Sequence, residues 1–388
     1  MGKRRVLLIG SMHFFVDLYS GFFAVYMVIA GLEPIKAALI SSVASLLGDG
    51  LQPFLGFLSD RIRGKMPIFF GVVVGAVCMS AIGLTQDYAL LFLLVLSGRI
   101  GISLFHPGGA NIASAAGAEQ KERSFSLFLF IGTLGLSISQ PYFSFFTSLW
   151  GNGASPLLAL PALVLAFFYL LYSRMGIAGG EEETSLSLVV HTFKKRLGAV
   201  LLLFFIMVFR HGFVMTLAFY IAKIFHDWGF SRLVYSLAPT LFNLVGALGV
   251  LVSGYIARRI RAKTQLLFSL TAFIPFFALL VLAGGARILW LALACLGITG
   301  FILQLSLVPN VVLGHRLFPE MTSTISGILM GFAWAFGNLS QPLVAACADL
   351  FPWAPGLLSG LVLLMVLPLA ACLLVAFLPE PSGVRERG

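Results

Sequence analysis

The sequence predicts an all-helical integral membrane protein, with twelve transmembrane helices arranged as two pseudo-symmetric six-helix bundles. Three observations predict it. Of 388 residues, 59% are hydrophobic and only 10% charged, and the mean hydropathy is +1.01. A soluble chain carries about a quarter charged residues, and this one could not cover its surface in water. The apolar residues form continuous runs close to the ~20 residues that a spanning helix needs, not the dyad alternation of a membrane β-barrel. Finally, phrases in the first half of the chain return in the second.

The spans follow from charged, Gly or Pro punctuation. The first, about 6–30, follows the basic "GKRR" start and runs through His13 and Asp17 without a small-residue cleavage site, so it reads as a retained helix, not a signal peptide. "GLEP" separates it from 36–59, and "DRIRGK" separates that from 66–85. "TQD" precedes 88–115, "AEQKER" precedes 124–148, and "GNG" precedes 155–175. A loop of about 20 residues containing "GEEE" leads to 198–222. The remaining spans are 232–256, 264–283, 287–313, 322–347 and 356–378, parted by "ARRIRAK", "GGAR", "HRLFPEM" and "DLFPWAPG".

Basic residues orient the chain. With the N-terminus in the cytoplasm, nineteen of the 25 Lys and Arg fall on the cytoplasmic side. Four (Lys36, Lys223, Arg232 and Arg287) fall on the other, and Arg99 and Arg210 lie inside spans. Such a bias places both termini inside a bacterial cytoplasmic membrane. The formal charge of +10 is therefore read as topology, not as a nucleic-acid surface, because the basic residues sit in short clusters between apolar runs. The four cysteines lie singly in apolar segments and have neither metal-ligand spacing nor a disulfide pattern. No H-E-x-x-H, no G-x-S-x-G and no clustered Ser, His and Asp point to an enzyme, and no cofactor is implied.

The repeat defines the domains. "GFLSDRIRGK" from Gly56 to Lys65 returns as "GYIARRIRAK" from Gly254 to Lys263. "HFFVDLY" at His13 aligns with "HGFVMTL" at His211, and "ISQP" ending at Pro141 with "LSQP" ending at Pro342. "FHPGGA" in the fourth span matches "LVPNVV" in the tenth. The expected units are an N-terminal bundle at 1–175, a cytoplasmic linker at 176–197 and a C-terminal bundle at 198–388, the layout of a repeat-built transporter.

Two six-helix halves and a Gly-x-x-x-Asp-Arg loop after the second span resemble the major facilitator superfamily. That family's loop reads roughly G-x-x-x-D-[RK]-x-G-[RK]-[RK]. Gly56, Asp60 and Arg61 match it, while Gly64 falls one position late. Within the superfamily, "HFFVDLYSGFF" and "GISLFHPGGA" resemble the fosmidomycin-resistance type of drug exporter. The resemblance implies the major facilitator fold, a proton-driven exporter and no cofactor. It also implies that Gly56, Asp60 and Arg61 form a conformational latch, with the Asp against a helix N-terminus, where a carboxylate gains roughly 0.3–1 kcal/mol. The alternative for Arg61, Arg63 and Lys65 is a topological anchor. One acid suffices for a latch, which accommodates Arg258 in the second copy.

Ionisable side chains near the bilayer midplane cost about 2.5–3.5 kcal/mol on insertion scales and mark a cavity or pathway. Asp17, Asp49, Arg99, Arg210 and His211 fall there, with Gln304, Asn243 and Asn338 in the same zone. Spans three, six, nine and twelve carry none in their middles; in the superfamily those four are peripheral. Asp17 reads as a proton carrier or as the partner of Arg99. Asp49 reads as a second titrating group, or as the cap of a helix break made by "GDG" and Pro53. Arg99 and Arg210, one per half, offer the planar fork that suits an anion, or else balance the two aspartates. His13 and His211 can titrate near neutrality or simply pack. His106, before Pro107, is expected to support a kinked helix end. Trp334, Tyr19 and Tyr26 form either an apolar wall or core. The expectation is proton coupling through Asp17, Asp49 and His13, with solute binding by Arg99, Arg210, His211, Gln304, Asn338 and Trp334. The implied process is export of small amphipathic or anionic compounds by a monomer in the lipid bilayer. An alternative is proton-coupled uptake or exchange of an organic or phosphorylated anion.

Overall fold

The structure is a computed structural model that describes residues 2–52, 54–55, 65–114, 121–172, 194, 196–256, 259–318, 325, 327–351 and 355–378. Among these residues it is all-helical and contains no strand. Eleven helices are long and apolar enough to cross a membrane. They are α1 (Val6–Ile29), α2 (Pro34–Leu51), α3 (Met66–Leu84), α4 (Tyr88–Ala110), α5 (Leu127–Trp150) and α6 (Asn152–Leu171). The second set comprises α7 (Leu197–Asp227), α8 (Arg232–Ile256), α9 (Ala262–Gly285) and α10 (Leu289–Leu317). The expected span at 322–347 is broken: α11 comprises Gly327–Phe332, with π-helical bonding, then Ala333–Gly337 and Ser340–Ala346. The last helix, α12, is Leu357–Ala376. Most of the expected 176–197 linker and the 56–64 loop, with Gly56, Asp60 and Arg61, lie outside the described residues, as does Arg258.

The breaks within spans have local causes. α1 is interrupted at Gly21, where a Cβ would meet Ser139 Oγ at 2.6 Å. Proline frees a carbonyl four residues before it, and two freed carbonyls are used in packing. Pro309 frees that of Leu305, where α10 bends between Gln304 and Leu307; Ser253 Oγ (2.7 Å) and Gln265 Nε2 (3.1 Å) donate to it. Pro141 frees that of Ser137, which accepts from Thr240 Oγ1 on α8 at 2.6 Å. Pro107, by contrast, lies inside a helix that runs to Ser114, in keeping with the expected span of 88–115, and His106 stands within that helix.

Packing repeats between the two sets. α1 lies on α5 and α4, α3 on α4, and α2 on α4; correspondingly, α7 lies on α11 and α10, α9 on α10, and α8 on α10. The two sets meet mainly through α5 against α8 and α2 against α11. Buried Tyr19 and Tyr26 are core residues whose hydroxyls donate to the carbonyls of Leu158 (2.8 Å) and Thr85 (2.7 Å), which decides between the two readings in favour of core.

Candidate functional site

The expected site residues fall into three clusters of polar side chains within the described helices. The first is built on α1, α4 and α5. His13 and Asp17 are one helical turn apart on α1, and such i, i+4 residues share a face. Asp17 Oδ2 lies 3.2 Å from His13 Nε2, and Asp17 Oδ1 lies 3.2 Å from His106 Nε2 on α4. Each histidine is held at its other nitrogen: His13 Nδ1–H donates to the carbonyl of Phe128 and His106 Nδ1–H to that of Ile102, both at 2.8 Å. The His13 ring stacks on Phe128 at 4.0 Å. Above it, Gly132 of α5 leaves no space, because a Cβ there would sit 2.6 Å from Asp17 Oδ2. One side-chain nitrogen or oxygen from each of the three residues lies within 4.8 Å of the others, and each is engaged in a His–carboxylate contact. His13 is buried, whereas Asp17 and His106 retain 19% and 29% side-chain exposure.

The second cluster is built on α2 and α4. Asp49 opens a 3-10 turn, Asp49–Leu51, that ends α2. Its carboxylate accepts from Ser45 Oγ (2.5 Å), Ser103 Oγ (3.2 Å) and Arg99 Nη1 (3.3 Å). The expected alternative of Arg99 pairing with Asp17 is therefore corrected: the arginine goes to Asp49 and the histidines to Asp17. Gly48 sets this geometry, since a Cβ there would lie 2.6 Å from Arg99 Cβ, so α2 and α4 approach closely only over glycine. Ser45 Oγ also accepts from Asn338 Nδ2 on α11 at 2.7 Å. Asn338, expected to bind solute, is thus engaged across the contact between the two sets of helices.

The third cluster lies among α7, α10 and α11. Arg210 is 2% exposed and has no carboxylate partner among the described residues. Its Nε donates to Ser306 Oγ (2.8 Å), and its Nη2 donates to the Leu303 carbonyl (3.4 Å) and to Gln304 Oε1. The α10 bend before Pro309 presents all three acceptors. His211 stacks face to face on Trp334, with centroids 4.8 Å apart and planes 1° apart. His211 Nδ1 and Trp334 Nε1 are buried without a hydrogen-bond partner. The third cluster thus holds a buried guanidinium that faces neutral acceptors, and a stacked ring pair whose two nitrogens have no hydrogen-bond partner.

Sequence reasoning placed Asp17, Asp49, Arg99, Arg210, His211, Gln304 and Asn338 at similar depth, and the structure sorts them into separate clusters. It missed His106 as a partner of Asp17. The available signal was periodicity: His106 lies seven residues after Arg99 on one α4 face.

Helical repeats around polar clusters within apolar spans are the layout of one class of protein, the repeat-built membrane transporter. Comparison with known proteins makes the family specific. The model of the Major Facilitator Superfamily matches residues 5–342, and the chain belongs to that superfamily of secondary transporters. It is 22% identical to the MFS-type transporter YfnC of Bacillus subtilis (strain 168), over 90% of this chain and 86% of that protein. It is also 22% identical to the fosmidomycin resistance protein of Escherichia coli (strain K12), over 81% of this chain and 78% of the relative. Among solved structures, the nucleoside transporter NupG superposes with a TM-score of 0.80 at 14% identity, covering 98% of this chain and 100% of that one. An inward-facing bacterial homologue of the lysosomal transporter Spinster superposes with a TM-score of 0.74 at 14% identity, covering 97% and 96%. These likenesses establish the major facilitator fold.

Proposed function

We propose that this chain is a proton-coupled exporter of small amphipathic or anionic compounds, working by alternating access between an N-terminal and a C-terminal bundle. It would act as a monomer in a bacterial cytoplasmic membrane, with both termini inside. The observation that carries the proposal is Asp17, a partly exposed carboxylate at membrane depth held between two imidazoles; acids and histidines in such positions mark proton pathways. His13 and Asp17 carry the coupling, with Asp49 as a further acid tied to Arg99 and, through Ser45, to α11. Arg210, His211, Gln304 and Trp334 supply the solute site. The absence of an acid beside Arg210 among the described residues supports a solute with a negative group, and the resistance protein named for fosmidomycin makes that compound the first to try.

Gly56, Asp60 and Arg61 remain a latch on sequence grounds alone. Uptake of an organic anion would use the same residues around Arg210, and only the sense of coupling separates the two processes. The experiment is transport by the full chain in proteoliposomes, against a panel of anionic and amphipathic solutes including fosmidomycin, with the pH gradient imposed in either direction or absent. Asp17→Asn is expected to abolish gradient-driven accumulation while solute exchange persists. Gradient-dependent accumulation at the wild-type level by Asp17→Asn would refute the coupling role.

A further inference from the structure

We infer that His13, Asp17 and His106 hold two protons as one unit, one in each Nε2–carboxylate contact, and that His106 is the member through which the unit meets water. The inference rests on the proton-coupled reading above and adds a residue and a proton count to it.

The count comes from hydrogen-bond donors. A backbone carbonyl can only accept. His13 Nδ1 lies 2.8 Å from the Phe128 carbonyl and His106 Nδ1 2.8 Å from the Ile102 carbonyl, so each Nδ1 carries a hydrogen. The tautomer of each neutral ring is thereby fixed, and each Nε2 is left as a bare lone pair. Yet each Nε2 lies 3.2 Å from a carboxylate oxygen, His13 against Oδ2 and His106 against Oδ1. A lone pair facing an ionised oxygen at that distance is repulsive, and a proton between them turns it into a charge-assisted hydrogen bond. Two such contacts need two protons. Without them, two neutral rings and one carboxylate carry a single negative charge; with them, a single positive one.

The surroundings hold this arrangement in place. The His13 ring stacks on Phe128 at 4.0 Å and has Phe105 beside it at 5.9 Å, and its Nδ1–H bond to the Phe128 carbonyl leaves Nε2 as the nitrogen that faces Asp17. Gly132 closes the α5 side. The described stretches of α3, α5 and α6 bring no carboxylate, amine, guanidinium or imidazole. On α2 and α4 the further charges at this depth are Asp49 and Arg99, paired with each other at 3.3 Å. Exposure rises from 3% at His13 to 19% at Asp17 and 29% at His106, which sets the direction of exchange with water.

The test is solid-state nitrogen NMR on the full chain, labelled at histidine and reconstituted in lipid bilayers, at about pH 8, where a ring of ordinary pKa near 6.5 is neutral. Two imidazolium rings are expected in the wild type. His13→Gln and His106→Gln should assign them by loss, and Asp17→Asn should return both to the neutral form. One cationic ring or none in the wild type would overturn the proton count, and so would two that persist in Asp17→Asn. Adding Zn²⁺ is expected to leave both rings unchanged; a shift of their Nε2 signals to metal-bound positions would also overturn it by making the triad a coordination site. The measurement needs no solute. Neutral rings in a protein that still accumulates solute with the gradient would refute this inference and spare the coupling, whereas cationic rings without gradient-driven transport would do the reverse.

Discussion

Arg232, at the start of α8, offers a quantitative test of how the two sets of helices close on one another. Its guanidinium reaches α5, with Nε donating to Ser144 Oγ at 3.0 Å and Nη2 to the Ser144 carbonyl and Thr147 Oγ1, both at 2.9 Å. Hydrogen bonds from a charged donor are worth about 1.5–3 kcal/mol each when well shielded. This group is only partly buried, so we assign about 2 kcal/mol to the three together, which is about thirty-fold in the ratio of closed to open forms at this end. On the orientation read from Lys and Arg, this end faces outward. A reporter is at hand in Gln140, 6% exposed and on the same α5 face as Ser137 and Ser144. In a background freed of the four native cysteines, Gln140→Cys should react slowly with a membrane-impermeant maleimide applied from outside. Adding Arg232→Ala should raise that rate by about thirty-fold, and Ser144→Ala, which keeps two of the three bonds, by about five-fold, the equivalent of roughly 1 kcal/mol. A rate changed less than about two-fold by Arg232→Ala would show that these bonds do not hold the halves together, and the closure would then rest on apolar contacts such as Phe23 against Phe219.

Other outcomes are expected at the remaining sites. Arg210→Lys keeps the charge but loses the fork to Ser306, Leu303 and Gln304, so the affinity for an anionic solute should fall by about 1–3 kcal/mol, measured by equilibrium binding; unchanged affinity would make the arginine structural. Gly132→Ala should destabilise the bundle by about 1–3 kcal/mol and suppress gradient-driven transport, because its methyl group would be forced onto Asp17 and His13; thermal unfolding and transport together check this. Asp60→Asn should raise labelling of engineered positions near the cytoplasmic end and slow turnover, with Arg258→Asn doing much less; equal effects would make both basic loops topological anchors.

Much of the fold was legible because membrane insertion writes itself in long, coarse signals. Eleven apolar runs and their punctuation needed no tertiary information, and the boundaries of α3 and α8 fall where Met66 and Arg232 said they would. The eleventh run was not legible as a broken helix, since the π-helical stretch at Gly327–Phe332 carries no proline or charge to mark it. The polar residues were legible as a set, because each is expensive at depth. Their partners were not, because pairing depends on which helix faces turn toward each other. Asp17 and Arg99 looked matched by charge, yet Gly48 draws α2 onto α4 and hands Arg99 to Asp49. His106 was hidden for a similar reason: beside Pro107 it read as support for a kinked helix end, and its contact with Asp17 on α1 depends on how α4 turns toward α1.

The close approach of α1 and α5 limits how such a molecule can move. A Cβ at Gly135 would overlap the carbonyl of Phe14, one turn along from where Gly132 meets His13 and Asp17. Two backbones in such contact cannot slide by even a fraction of a residue without collision, so the pair behaves as one girder. His13 and Asp17 ride on that girder one turn apart, while His106 approaches them from α4. In the proposed cycle, rocking would turn His13 and Asp17 as one body, and a proton would leave toward whichever compartment then reaches His106.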